Sequence, residues 1–129
     1  AEYNQNFNVK QECITAFEDV KAGKYQAVIL KMDDLEAAEP SYVVETTLPS
    51  GSTTADLVKA LGGSSRRWVL LSFQKKVVAA AWKTANITYD NTVDDLQETF
   101  KGLDVAVKVQ SADEFEEEKF AKLVSKAEP

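Results

Sequence analysis

Read as a pattern of apolar and polar positions, the chain begins with a stretch rich in Asn and Gln, residues 1–8, expected to be a mobile tail. From Lys10 to Lys21, Cys13, Phe17 and Val20, with Ala16 beside them, recur at spacings of three and four. That spacing predicts an amphipathic helix, and Gly23 stands where a C-terminal cap belongs. Tyr25–Met32 is apolar on both alternating sets, so it predicts a strand covered on both faces. Asp33-Asp34 ends it, a loop runs through Pro40, and Ser41–Leu48, where Val43 alternates with polar neighbours, predicts a second strand. Pro49-Ser50-Gly51 is a turn, after which Ser52 or Thr53 caps a short helix with Leu57, Val58 and Leu61 inward and Gly62-Gly63 as its stop.

Trp68–Phe73 and Val77–Trp82 predict a hairpin of buried strands, with Lys75-Lys76 as the polar break. Val93, Leu96 and Phe100 mark a helix starting near Asn91 or Thr92 and closing at Gly102. Asp104–Val109 alternates, which places Val105, Val107 and Val109 on one face of a strand. Ser111, with Glu114 three residues on, predicts the capped start of a last helix carrying Phe115, Phe120, Leu123 and Val124. Strands flanked by helices in this order imply a single α+β domain spanning residues 1–129, a central mixed sheet sandwiched between helices.

Composition narrows the chemistry. A chain of 129 residues has room for one core, and its lone cysteine, Cys13, sits among apolar residues as a buried small hydrophobe. No N-terminal hydrophobic run is present, so no membrane anchor is expected, and the single cysteine fits a reducing, cytoplasmic setting. A net charge of -6 without a basic stripe argues against nucleic acid as a partner. With no histidine, imidazole-based triads and ordinary zinc sites are absent, so neither a cofactor nor a metal is expected and the chain does not read as an enzyme. The carboxylates of Asp94-Asp95 and Glu116–Glu118 lack the glycine-containing spacing of a calcium loop and read as solvated faces. Gly62-Gly63-Ser64-Ser65 lacks the lysine of a phosphate loop.

Several stretches carry a family likeness. Asn8–Phe17, Lys24-Tyr25 with the following VILKMDD, Arg67–Phe73, Ala79–Trp82 and Ile87–Leu96 fall in an order and spacing that resembles the ADF/cofilin homology family. That family includes cofilins, coactosins, glia maturation factors and twinfilin domains. The end, Ser111–Lys126, is most similar to coactosin, with an acidic cluster before alternating Phe and Lys. The resemblance implies an ADF-homology, gelsolin-like fold in a monomeric protein of the cytoplasm and cytoskeleton. It also implies actin, as filament or monomer, as the partner.

The departures bear on mode of action. Cofilins carry Pro-Asp after the terminal Trp and basic residues before the long helix, whereas Trp82 is followed here by Lys83-Thr84-Ala85-Asn86. The regulatory Ser-Gly near a cofilin N-terminus is replaced by Asn6-Phe7, and the hairpin at Lys75-Lys76 is shorter than the projecting one cofilins use on filaments. Weak severing is therefore expected.

The candidate contact residues implied by the resemblance are Asn6, Phe7, Lys75, Lys76, Lys83, Asn86, Ile87, Lys119 and Lys122. Each has a plainer reading beside it. Lysines at a hairpin tip also blunt a sheet edge, and Ile87 with Tyr89 also suits the core of a short connection. Lys119, Lys122 and Lys126 follow Glu116–Glu118 as the helix dipole alone would favour. A second functional reading is a domain that keeps this fold and recognises another protein, such as an actin-related subunit.

Overall fold

The computed structural model describes residues 8–32, 41–64, 66–83 and 92–127. The elements are β1 (Asn8–Val9), α1 (Gln11–Lys21), β2 (Tyr25–Met32), β3 (Ser41–Pro49), α2 (Thr54–Leu61), β4 (Arg67–Phe73), β5 (Lys76–Trp82), α3 (Thr92–Thr99), β6 (Val105–Val109) and α4 (Glu117–Ala127). The strands form one mixed sheet in the order β1-β3-β2-β4-β5-β6. The outer pairs, β1 with β3 and β5 with β6, are parallel, and the three inner pairs are antiparallel.

Period-two alternation sends the apolar residues of the central strands to two separate cores. Val28, Leu30, Trp68, Leu70, Ala79, Ala81 and Ala106 pack against Cys13, Phe17 and Val20 of α1 and Leu96 of α3. Ala27, Ile29, Val69, Leu71, Val78, Ala80 and Trp82 pack against Leu57 and Leu61 of α2 and Phe120 and Val124 of α4. The sheet is thus covered on both faces, as strands apolar on both alternating sets require. Small Ala79–Ala81 on β5 leave room for larger neighbours, and β6 places Val105, Val107 and Val109 in the second core.

Two register shifts re-aim side chains between β2 and β3. One, between Tyr25 and Ala27, turns Gln26 so that its amide donates to the Ser72 carbonyl (2.6 Å) and accepts from the Gly51 N–H (3.1 Å). The other skips Glu45, which reaches Arg67 with Oε1 at 2.8 Å and Oε2 at 3.3 Å from the guanidinium nitrogens. On β3 it is Tyr42, more than Val43, that enters the core, stacked on Trp68 at 3.8 Å between ring centroids. Asn8, read from the sequence as part of the tail, pairs with Ser41.

Thr53 is the cap of α2: it accepts from the Asp56 N–H (3.1 Å), and the Asp56 carboxylate accepts from the Thr53 N–H (2.9 Å). The start of the last helix differs from the sequence expectation. Ser111 and Glu114 frame a single 3-10 turn over Ala112–Phe115, and α4 begins only at Glu117. Glu116 between them is extended, with φ -56° and ψ 135°. The reason is phase. In one continuous helix, residues five apart point about 140° away from each other. The extended residue resets the phase so that Phe115 and Phe120 both enter the same core, 5.2 Å apart.

Candidate functional site

The β4–β5 hairpin closes through two residues, Gln74 and Lys75, both at positive φ (50° and 67°). This is the backbone of the tight turn that matches strand twist. The polar break is therefore Gln74-Lys75, while Lys76 is already the first residue of β5, paired with Phe73. Lys75 is exposed and Lys76 half-buried.

The hairpin is tied to α4 below it. Phe73 meets Phe120 edge to face at 4.8 Å and 83°, and Phe120 in turn packs on Phe115. Lys119 and Lys122 flank Phe120 in sequence and are exposed. Lys119 lies 3.9 Å from the Glu116 carboxylate, both side chains more than half exposed, a pair worth little in water. The structure thus joins hairpin and α4 into one body bearing four of the candidate lysines.

Lys83 lies elsewhere. Seven residues of extended chain, the length of β5 and one step more, separate it from Lys76 by about 23 Å. Its N–H donates to the Val109 carbonyl (2.8 Å), its φ is 48°, and its ammonium sits 4.9 Å from the Trp82 ring centroid. The Trp82 indole N–H donates to the Ser64 carbonyl (2.8 Å), which fixes the ring beneath that ammonium. Because α3 packs on β6 and joins it through the tight Phe100–Asp104 connection, its first turn lies toward this same end of the sheet. Beyond the next rung from Trp82 stands Arg66, exposed and at φ 56°, whose N–H donates to the Lys83 carbonyl (3.3 Å). By sequence alone Arg66 is simply the residue before a strand. The Arg66-Arg67 pair was visible, but not the difference between them: Arg67 is neutralised by Glu45. Asn6, Phe7, Asn86 and Ile87 lie outside the described residues.

A cleft of about 230 Å³ opens between the hairpin, α2 and α4. Gln26, Thr53, Leu57 and Phe73 line it, and among the described residues Glu117 is its one ionisable lining residue. A single carboxylate supplies no acid–base pair. Among the described residues no His, Cys, Asp and Glu cluster could hold a metal, and no helix is long and apolar enough to cross a membrane. Cys13 is buried, its thiol donating to the Tyr42 carbonyl at 3.3 Å. Burial first, and then the Glu12 charge, push its pKa up to about 12, which leaves no nucleophilic thiolate near neutral pH.

Comparison with known proteins places this geometry in a family. The family model for cofilin/tropomyosin-type actin-binding proteins matches residues 6–125, and the chain belongs to that family. Cofilin-1A of Dictyostelium discoideum is 28% identical, over 84% of this chain and 88% of its own length. Among solved structures, a cofilin from Streptomyces griseoflavus superposes with a TM-score of 0.75 at 16% identity, covering 94% of this chain and 98% of that one. Coactosin from Entamoeba histolytica gives 0.69 at 14% identity, covering 95% and 96%. These two likenesses establish the ADF-homology fold, and the family match establishes the membership.

Proposed function

We propose that this protein binds actin stoichiometrically, without turnover, and acts in the cytoplasm as a monomer that modulates filaments or sequesters subunits. The observation that carries the reading is the family match over residues 6–125. The arrangement of cations supports it: Lys75, Lys76, Lys119 and Lys122 on the joined hairpin and α4, and Lys83 about 23 Å from Lys76 at the start of the connection to α3. Actin's surface is acidic, so lysines around an apolar patch suit it. Two separated contact groups are what a protein needs to touch neighbouring subunits of a filament.

Severing requires both groups to grip firmly enough to alter filament twist. A two-residue turn projects little beyond the sheet, and one lysine stands before the long connection where cofilins have several basic residues. Filament binding with weak severing, in the manner of coactosin, is therefore the expected behaviour. Imaging labelled filaments with stoichiometric protein tests it: decoration with few breaks is expected, and rapid fragmentation overturns it. Failure to bind either filament or monomer would favour a fold redirected to another protein.

A further inference from the structure

We infer that Arg66 is a contact residue of the Lys83 end of the protein, forming with Lys83 a two-cation seat for carboxylates on the actin surface. The inference rests on the actin-binding reading above and adds a residue to it. Among the described residues, four that are not glycine have positive φ: Arg66, Gln74, Lys75 and Lys83. Gln74 and Lys75 are accounted for, because a two-residue hairpin turn demands that backbone. Arg66 and Lys83 lie outside that turn, at the opposite ends of β4 and β5. They face each other one rung beyond the Arg67–Trp82 pair, linked by the Arg66 N–H to Lys83 carbonyl bond of 3.3 Å.

Three features of this pair act against stability. Each residue holds a left-handed backbone that a side chain with a Cβ disfavours. Two like charges stand across from each other at the end of an antiparallel pair. Among the described residues, Arg66 has no acidic partner, whereas its neighbour Arg67 is held by Glu45 at 2.8 Å. Left-handed backbone beneath an exposed Arg66 and a half-buried Lys83 is the kind of local strain that gathers at ligand sites.

Chemistry sets the class of ligand. Lys83 is held over the Trp82 ring, itself fixed by Ser64, so one cation is placed on a rigid support. Arg66 adds a planar fork suited to a carboxylate. In this chain the segment after Trp82 offers Lys83 and then Thr84-Ala85-Asn86, so the second cation comes from the residue just before β4 instead.

The test separates charge from backbone. Arg66→Gly removes the cation and accepts the left-handed φ freely. It is expected to melt at the same temperature as the natural chain or up to about 3 °C higher. Its affinity for actin should fall about tenfold, with a shallower dependence on salt. Arg66→Lys should recover most of the affinity, and Arg66→Glu should bind more weakly than Arg66→Gly. Each variant is measured beside the natural chain with monomeric and filamentous actin. Unchanged affinity and salt dependence in Arg66→Gly overturns the inference while leaving actin binding intact. A Tm that falls together with affinity also overturns it, by giving Arg66 a structural role. If the natural chain binds neither form of actin, the underlying reading fails and this inference with it.

Discussion

Truncating Phe120 to Ala should cut deep into stability, because this ring links the hairpin to α4. It is fully buried and touches Phe73 edge to face at 4.8 Å and Phe115 at 5.2 Å. Removing a buried Phe costs about 3–5 kcal/mol in transfer and cavity terms. The two ring contacts keep this site off the floor of that range, at about 4 kcal/mol. Against a typical domain stability of about 5–15 kcal/mol, the variant should still fold but melt roughly 12–20 °C lower.

Urea denaturation followed by tryptophan fluorescence reads this directly, since Trp82 lies 5.7 Å from Phe115. A Phe73→Ala/Phe120→Ala cycle should return a coupling near 1 kcal/mol. A cost below about 1 kcal/mol for Phe120→Ala would refute the docking of α4 on the hairpin, and with it the idea that the two present one surface.

Other consequences are smaller and equally checkable. Thr53→Ala removes the cap of α2 and should cost about 1 kcal/mol in the same denaturation assay. The Cys13 thiol stays protonated in the folded protein up to about pH 12 but ionises near 9 when unfolded. Its folded pKa is raised, so the contribution is fully present below pH 9 and is lost as pH rises from there toward 12. Stability measured from pH 8 to 10.5 should fall more steeply for the natural chain than for Cys13→Ala.

The buried strands were legible because β2, β4 and β5 are apolar on both alternating sets, a pattern that fits only a doubly covered sheet. Thr53, Gly23 and Gly102 marked helix ends through local chemistry, and Gly102 is needed for its φ of 99°, a backbone that side chains rarely adopt. The displaced start of α4 was not legible. Ser111 and Glu114 form the same local signature whether a long helix or one turn follows, and only the packing of Phe115 beside Trp82 decides between them. The shifts that turn Gln26 and Glu45 depend on partners 46 and 22 residues away in sequence, which no local spacing encodes. For the same reason Arg66 looked like any residue before a strand, although its backbone geometry and its neighbour Lys83 set it apart.

The most direct test of the central claim is high-speed co-sedimentation with filamentous actin, comparing the natural chain with Lys75→Ala/Lys76→Ala at low and moderate salt. The natural chain should pellet with filaments, and added salt should weaken that binding. The double variant should pellet less, and with a smaller response to salt. A natural chain that stays in the supernatant at both salt concentrations, and binds no monomeric actin either, would contradict it.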